Sequence, residues 1–527
     1  MTTVDHHAAT PPDGAQGRAP RLVWAVPVLV VFAAIAYAGL LSRGPSMGDH
    51  ECINAVAARQ ALREGQFFIP YVNDAPWVRK PPLGMWLIAG AAWLLERGQD
   101  IPVSDFTARL PSAVGGIVNA LAACWLGAMM FGRRAGLVAG VVMAGCVGSI
   151  FFARNAQVDM VMTAFTTLSL ACFWRACVHE RPAKWAMIGF YLALALAMLA
   201  KAPLPLAIVG GSLTAYWFIT RPLEAILSGR TNTAVDGDAL APTKPGLLAE
   251  WGRQARAIAR MRPILGAVLF MVVFGAWPLY VWLKVDGAVE LWRTEYLDRA
   301  SGEMSGQDEG FFYYLPTLLG FVLPYTVSLI EALAAPFLSW YREHRRGLLF
   351  AFTWAAFGTL FLSVMAFKRP HYLLPVLPAY VLLLAPVIDR LFFGTVPMLV
   401  SPRTVRLAAG ITPPVLAVAA IVGGVVIHRV MPAMLPGYVL AVAVGVAIWT
   451  AAAMAYRAHR RGWSFVLLNA GTVAMTLVVW PVLGEHLETS PEEMALAREL
   501  ERHGITGRDE ILWVGKRPNA RLDFYAR

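Results

Sequence analysis

The chain has 527 residues, of which 57% are hydrophobic and 15% are charged, and its formal net charge is +11. In soluble domains roughly a quarter of all residues are charged. The mean hydropathy here is +0.55, so the composition excludes an ordinary soluble domain. The basic residues lie between apolar segments rather than in one patch. That distribution fits membrane topology and anionic lipid headgroups, and it argues against a nucleic-acid partner.

The apolar segments predict an all-α polytopic membrane protein. Residues 1–20 are polar and rich in Pro, Gly and Ala, which is typical of a disordered tail. The apolar segment after them has no small-residue cleavage site, so we expect it to remain as a membrane anchor. Further apolar segments follow along the chain, each long enough to cross the roughly 30 Å hydrocarbon core of a bilayer. About thirteen spans are predicted, at 22–42, 108–131, 134–152, 157–178, 185–200, 203–219, 262–284, 312–334, 347–366, 371–393, 405–428, 433–455 and 463–482.

The loop charges indicate the orientation of these spans. With the N-terminus in the cytoplasm, most Arg and Lys residues of the loops fall on the cytoplasmic side, as the positive-inside rule requires. The chain then divides into a disordered cytoplasmic tail (1–20), a membrane domain (21–482) and a small extracytoplasmic region (483–527). Within the membrane domain, 43–107 is a long extracytoplasmic loop, and 221–261 is a cytoplasmic loop.

Two parts of the chain outside the predicted spans have helical patterns. The first extracytoplasmic loop contains amphipathic stretches at 51–64 and 83–95, which are too short to span and which we expect to lie in the membrane interface. Near the C-terminus, Ser-Pro-Glu-Glu at 490–493 is a capping box that predicts a helix to about His503. A strand is predicted at 511–514. This region is too short for a core of its own, so we expect a small α/β appendage on the membrane domain.

Five clusters of ionisable residues lie near or inside the membrane, where such residues are costly and therefore functional candidates. In the predicted topology all five are extracytoplasmic, on the side where Lys and Arg are disfavoured. An anion such as a lipid phosphate at the membrane surface explains them. The clusters are 48–51, 77–83, 154–159, 199–203 and 367–372.

The motifs of these clusters resemble one family when they are taken in order. Gly-Asp-x-Glu is followed by Lys-Pro-Pro-Leu, Gln-x-Asp-Met, Ala-Lys-x-Pro, Phe-Phe-Tyr-Tyr-Leu-Pro and Lys-Arg-Pro-His-Tyr-Leu-Leu-Pro, between residue 40 and about 390. This order resembles the aminoarabinose transferases that modify lipid A and the related dolichyl-phosphate-mannose-protein mannosyltransferases. The resemblance implies a GT-C membrane bundle in the bacterial inner (plasma) membrane. It also implies inverting transfer of a sugar from a polyprenyl-phosphate donor of the undecaprenyl type to a lipid, glycan or protein acceptor in the cell envelope.

The resemblance and the chemistry together nominate the site residues. By resemblance, Asp49 matches the acidic residue essential for catalysis, and Lys80 matches a lysine that binds the donor phosphate. Fixed cations stabilise the charge on a departing phosphate, and a carboxylate can accept a proton from an acceptor hydroxyl. We predict three catalytic carboxylates, Asp49, Glu51 and Asp159. The predicted phosphate-binding cations are Arg79, Lys80, Lys201, Lys368 and Arg369. The predicted substrate contacts are His50, Arg154, Tyr313, Tyr314, His371 and Tyr372.

The residues leave alternatives open for several of these roles. Glu51 can instead cap a helix, Asp159 can form a structural ion pair with Arg154, and Lys201 can extend to the interface. His371 can cap a span, and the tyrosines can be interfacial anchors. The competing class of function is a transporter or flippase of an anionic lipid-linked substrate, which Pro-broken spans near Pro203 would suit.

No cofactor is expected, and we expect neither a disulfide framework nor a metal. The five cysteines are odd in number and form no C-x-x-C motif. The one Asp-x-Asp, at 236–238, lies in the predicted cytoplasmic loop rather than in the five clusters, although Asp49 and Asp159 could converge on an ion. The sequence departs from the aminoarabinose transferases at His50 and Arg79, where an acid is expected, and at Cys52, where Arg is expected. These departures leave the sugar and the acceptor open.

Overall fold

The computed structural model describes 22–72, 75–98, 103–179, 183–222, 261–298, 309–394 and 420–486, with isolated positions elsewhere such as Phe524. Within those ranges the side chains at 22–24, 49, 297–298 and 485–486 are not described. The predicted tail at 1–20, the predicted strand at 511–514 and most of the predicted loop at 221–261 lie outside the described residues. The predicted helix from residue 491 to about 503 is described only at isolated positions.

The described chain is almost entirely helical. The first nine helices are α1 (Leu22–Ala38), α2 (Asp49–Glu64), α3 (Leu83–Leu95), α4 (Asp105–Phe131), α5 (Arg133–Gly145), α6 (Val147–Ala153), α7 (Asp159–Phe173), α8 (Lys184–Ala200) and α9 (Leu204–Ala215). The next seven are α10 (Pro263–Phe270), α11 (Ala276–Lys284), α12 (Ala288–Arg293), α13 (Tyr314–Phe321), α14 (Leu329–Ala334), α15 (Arg345–Val364) and α16 (Leu377–Phe393). The last three are α17 (Ala420–Val430), α18 (Leu435–Arg457) and α19 (Arg461–His486).

Shorter elements join these helices. Turns of π-helix follow α7, α9, α10 and α12, at Trp174–Val178, Tyr216–Thr220, Met271–Gly275 and Thr294–Asp298. Short segments of 3₁₀-helix lie at Leu41–Arg43, Phe311–Tyr313, Thr326–Ser328, Ala335–Phe337, Ser339–His344, Pro370–Val376 and Pro432–Met434. The one sheet among the described residues is a two-stranded antiparallel ladder of β1 (Tyr71–Val72) and β2 (Ala75–Pro76), with Tyr71 opposite Pro76.

The expectation of a polytopic helical membrane protein is confirmed. Among the described residues, eight helices are long and apolar enough to cross a bilayer, and the bent pair α5–α6 brings the number to nine. Several of the predicted spans are shorter helices, for example α8 and the helix that begins with α9. Of the predicted span 405–428 the structure describes little more than the start of α17. The total of thirteen therefore stays a prediction.

Two predicted spans are broken, and the two breaks are joined to each other. The span at 134–152 bends by 58° between α5 and α6, where Cys146 has extended backbone angles. The span at 312–334 is interrupted near Pro324, which has no N–H to continue a helix. The backbone N–H that the first break frees on Val147 donates to the carbonyl of Leu323, 3.1 Å away, in the second. A hydropathy pattern cannot show this pairing, because it depends on tertiary contact.

The centre of the bundle is formed by α4, α5, α7 and α16, with close helix approaches of the kind that small residues permit in membranes. Gly136 of α5 lies against the backbone of α4, and a Cβ there would come within 2.4 Å of the Ala128 nitrogen. The segment Pro370–Phe393, which includes α16, is buried over nearly its whole length. This closely packed centre supports the helix ends at which the ionisable clusters lie.

The first loop has the two helices that were expected of it. They are α2, which begins two residues before the predicted start, and α3, whose bounds are as predicted. The side-chain oxygen Oε2 of Glu51 accepts from the backbone N–H of Gly48 at 3.0 Å, which caps the start of α2. A separate apolar cluster, which includes Cys52, Met85 and Phe524, packs α2 and α3 together.

Candidate functional site

A cavity of about 280 Å³ opens where the five ionisable clusters meet. Its wall is formed by the first turns of α2, the segment before α3, the start of α7, the connection between α8 and α9, and the segment that follows α15. Its polar lining residues are His50, Asn54, Lys80, Gln157, Asp159, Lys201, Glu295, Tyr296, Arg369, His371 and Tyr372. Its apolar lining residues include Val158, Pro203, Leu204, Ala207, Phe361, Met365 and Phe367.

Asp159 and Lys201 form a close ion pair in this wall. Asp159 is the first residue of α7 and Lys201 directly follows α8, so the hairpin of these two helices brings both to one end. Oδ1 of Asp159 lies 2.6 Å from Nζ of Lys201, and the two side chains are 5% and 15% exposed. The ammonium group also lies 5.0 Å from the centre of the Tyr372 ring, within the range of a cation–π contact.

The alternative that Asp159 pairs with Arg154 is therefore wrong. Arg154 directly follows α6 and is fully buried. Its guanidinium group donates to the carbonyls of Ala36, at 2.9 Å, and Gly39, at 2.5 Å. The side chain extends towards the end of α1, and Arg154 is not among the residues that line the cavity.

Glu51 caps the start of α2, which is one of the two roles that the sequence left open for it. In addition to the contact with Gly48, its Oε1 accepts from the backbone N–H of Ala156 at 2.7 Å. The Nε of Arg109 lies 3.8 Å from the same oxygen. Glu51 is 8% exposed and lies behind the cavity wall rather than in it. Asp49 begins α2 next to His50, which lines the cavity.

Three of the five predicted cations line the cavity, namely Lys80, Lys201 and Arg369. The other two have different neighbours. Arg79 lies 5.3 Å from the Trp77 ring. Lys368 is 5% exposed, and its ammonium group donates to the Glu309 carbonyl at 2.8 Å.

Three of the six predicted substrate contacts, His50, His371 and Tyr372, line the same cavity. Tyr313 and Tyr314 instead stack edge to face on each other, with ring centres 5.2 Å apart, and Tyr314 is buried. Asn54 was missed by the sequence analysis, although it lies one helical turn after His50 and donates to its carbonyl at 3.3 Å. The i, i+4 spacing on α2 could have found it.

Glu295 and Tyr296 were also missed, and no local signal marks them. They lie in the turn of π-helix that follows α12, and the Tyr296 hydroxyl donates to the Arg79 carbonyl at 3.1 Å. Glu295 is 7% exposed. Both residues reach the cavity through the tertiary fold alone. Among the described side chains, no three His, Cys, Asp or Glu residues are grouped as metal ligands, and the expectation of a metal-free site stays a prediction.

The arrangement suits an amphipathic anion. Two ammonium groups and one guanidinium group face a common space, which favours a phosphate or another multivalent anion. Beside them, Leu204 and Ala207 of α9 and Phe361 of α15 give an apolar wall on helices of the membrane bundle. Asp159 offsets part of the positive charge through its contact with Lys201.

Comparison with known proteins agrees with the resemblance in the motifs. Residues 79–233 match the family described as dolichyl-phosphate-mannose-protein mannosyltransferase. The chain is 24% identical over 336 residues to the undecaprenyl phosphate-alpha-4-amino-4-deoxy-L-arabinose arabinosyl transferase of Erwinia tasmaniensis, a match that covers 63% of this chain and 53% of that protein. It is also 24% identical to the enzyme of the same name from Pectobacterium carotovorum, over 86% of this chain and 74% of that protein.

A solved structure shows the fold. The crystal structure of ArnT from Cupriavidus metallidurans bound to undecaprenyl phosphate aligns with a TM-score of 0.76 at 21% identity, over 96% of this chain and 85% of that one. The apo form of ArnT aligns with a TM-score of 0.71 at 20% identity, over 96% and 84%. The predicted resemblance to this group of GT-C proteins is thereby confirmed. The matched part of the chain spans about half the length of the Erwinia relative.

Proposed function

We propose that the chain transfers a sugar from a polyprenyl-phosphate donor, of the undecaprenyl-phosphate type, to a lipid, glycan or protein acceptor, with inversion at the anomeric carbon. The observation that carries this proposal is the convergence of Lys80, Lys201 and Arg369 on one cavity with an apolar wall. The similarity to proteins known as arabinosyl transferases supports it. The match to ArnT bound to undecaprenyl phosphate supports the choice of donor.

In the proposed reaction the acceptor hydroxyl oxygen attacks the anomeric carbon, and the bond from that carbon to the phosphate oxygen breaks. The polyprenyl phosphate leaves with the electron pair of that bond, and the three cations stabilise the added negative charge. The acceptor hydroxyl loses its proton, and we assign Asp49 at the start of α2 as the base that accepts it. Asp159 keeps the Lys201 ammonium group in place through the 2.6 Å contact.

The prenyl chain of the donor has an apolar surface beside these cations. Leu204 and Ala207 on α9 and Phe361 and Met365 on α15 line the cavity next to the polar residues. Both helices belong to the apolar bundle, so a lipid tail that contacts them stays in the hydrocarbon region while its phosphate reaches the cations. We assign His50, His371 and Tyr372, which line the cavity, to contacts with the sugar and the acceptor.

We further propose that the cavity lies at the extracytoplasmic face of the bacterial inner membrane, in a bundle of about thirteen spans with a C-terminal extracytoplasmic appendage. The basic cytoplasmic loops of the predicted topology support this orientation. Single cysteines introduced in 43–107 should react in intact cells with a reagent that cannot cross the membrane. Cysteines introduced in 221–261 should react only after the cells are opened. Labelling of the second loop from outside would contradict the topology.

The proposed activity is tested with purified protein, radiolabelled polyprenyl-phosphate sugars and a lipid A acceptor, starting with the 4-amino-4-deoxyarabinose donor. Transfer of label to the acceptor by the wild type, and its loss in Lys80→Ala, are the expected results. Asp389→Asn is a suitable control, because Asp389 pairs with Arg134 at 2.6 Å away from the cavity. Movement of the labelled carrier across vesicles without sugar transfer would support the transporter class instead. The same assay with a chelator tests whether a divalent ion is used.

A further inference from the structure

We propose that Glu51 is a positioning residue that fixes the two sides of the cavity relative to each other. One side is the first turn of α2, which carries Asp49 and His50, and the other is the segment 156–159, which ends in Asp159. This inference rests on the proposed function, because positioning is meaningful for a site that reacts. It differs from the catalytic role that the sequence suggested for Glu51.

Each oxygen of the carboxylate binds one of these two sides. Oε2 accepts from the Gly48 N–H at 3.0 Å, at the N-terminus of α2. Oε1 accepts from the Ala156 N–H at 2.7 Å, in a buried hydrogen bond between residues 105 positions apart. Bonds from backbone N–H groups to a carboxylate are charge-assisted and directional. A single side chain therefore sets the distance between the start of α2 and the segment that leads into α7.

A buried arginine completes this contact. Arg109 of α4 is 1% exposed, and its Nε lies 3.8 Å from Oε1 of Glu51, close enough to balance the buried charge. Its guanidinium group also donates to the carbonyl of Leu41 at 3.3 Å and to the carbonyl of Pro45. These carbonyls belong to the segment that joins α1 to α2. Arg109 thus fixes both the carboxylate and the chain that approaches it.

The opposite side of the cavity is bound to the same helix. The hydroxyl of Ser112 donates to the carbonyl of Gln157 at 2.5 Å. Ser112 follows Arg109 by three positions, so both lie on one face of α4. The start of α2 and the 156–159 segment therefore share a common support, and Glu51 is the direct link between them.

The same geometry argues against proton transfer by Glu51. Both of its oxygens accept backbone N–H groups, and the residue lies behind the cavity wall at 8% exposure. A general base must come within hydrogen-bonding distance of the proton that it removes. His50 and Gln157, which line the cavity, are the neighbours through which a displacement of Glu51 would reach the substrate.

The test is Glu51→Gln, which keeps the size of the side chain but replaces one acceptor oxygen with an NH₂ group that faces a backbone N–H. We expect kcat to fall by about tenfold to a hundredfold, the loss that a displacement of about 1 Å produces. The KM for the donor and the affinity for undecaprenyl phosphate should change by less than about twofold, because Lys80 and Arg369 lie on neither of the two elements that Glu51 joins. Hydrogen exchange at the Ala156 amide should become faster.

Glu96→Gln is the matched control. Glu96 is also a buried carboxylate, at 9% exposure, and accepts from the backbone N–H groups of Val103 and Ser104 at 2.8 and 3.0 Å. It lies at the end of α3, outside the cavity wall. We expect Glu96→Gln to lower the melting temperature while kcat and the exchange rate of the Ala156 amide stay unchanged.

The outcomes separate this inference from the proposed function. A normal kcat for Glu51→Gln beside an active wild type would overturn the inference. The inference would also be overturned if Glu51→Gln removed the acid limb of the pH profile, because that loss is expected when a general base is replaced. Unchanged exchange at Ala156 would overturn it whether or not the wild type transfers sugar.

If Glu51→Gln does not fold, Ser112→Ala removes the other link to the 156–159 segment without a change of charge, and the same split between kcat and KM is expected. A normal kcat in a folded Ser112→Ala protein would then overturn the inference.

Discussion

Nζ of Lys201 lies 2.6 Å from Oδ1 of Asp159, at the end of the hairpin formed by α7 and α8. The contact places a lysine in the wall of the cavity with its charge balanced and its position defined by a carboxylate. Breaking one member of a buried pair leaves an uncompensated charge. The two residues should therefore act as a unit in any reaction that uses the ammonium group.

A double-mutant cycle tests that unit. Asp159→Asn and Lys201→Met should each lower kcat/KM by about tenfold or more, and the double variant should be no worse than Lys201→Met alone. The coupling energy should be about 1–3 kcal/mol. Sugar transfer by the four proteins is the measurement. Additive losses would show that Asp159 has a role of its own at the reacting centre, as the sequence analysis predicted.

Asp49→Asn tests the base at the start of α2. The change keeps the shape of the side chain but removes its charge and its ability to take a proton. The single-turnover rate should fall by a factor of about 10² or more, with donor binding little changed. Asp105→Asn, at the start of α4 and outside the cavity wall, should transfer sugar at the wild-type rate. A near-normal rate for Asp49→Asn would remove Asp49 from the mechanism.

Lys80 and Lys368 were both predicted to bind phosphate, and the structure distinguishes them. Lys80 lines the cavity, so Lys80→Ala should weaken the binding of undecaprenyl phosphate and also slow turnover. Lys80→Arg should keep only part of the donor affinity and part of the turnover rate, because a planar guanidinium group does not replace a compact ammonium group. Equilibrium binding and single-turnover rates should be measured separately.

Lys368→Met is the comparison for Lys80→Ala. The Lys368 ammonium group donates to the Glu309 carbonyl, so Lys368→Met should lower the free energy of unfolding by about 2 kcal/mol. The affinity for the donor should stay within about twofold of the wild type. Thermal unfolding and binding of undecaprenyl phosphate would be measured on the same preparations. A large loss of donor affinity without loss of stability would show that Lys368 does contribute to donor binding.

Phe524 stabilises α2 from the C-terminal end of the chain. It is 2% exposed, its ring lies 4.6 Å from the Arg59 guanidinium group, and its carbonyl accepts from Arg59 at 3.2 Å. Phe524→Ala should lower the free energy of unfolding by about 3 kcal/mol, as for other buried aromatic side chains. Leu496→Ala, at a position that is 44% exposed, is the control. Equal melting temperatures for the two variants would show that the contact contributes nothing.

The sequence by itself determined the membrane class, the positions of most helices and the five clusters from which the cavity is built. These features are local, because an apolar run or a span boundary is defined by neighbouring residues. The bounds of α3 were predicted in full, and those of α2 to within two residues. Motif order was sufficient for the resemblance to transferases that the comparisons confirm.

Only the tertiary structure decided which members of each cluster share the cavity. The backbone at Arg369 is extended, and successive side chains of an extended segment point in opposite directions. Arg369 therefore lines the cavity while Lys368 donates to Glu309. The partners of Glu51 and Asp159 were likewise hidden, since Ala156 and Lys201 lie 105 and 42 positions away in the chain. A sequence pattern places charge near a membrane surface, but the packing of helices decides which charges meet.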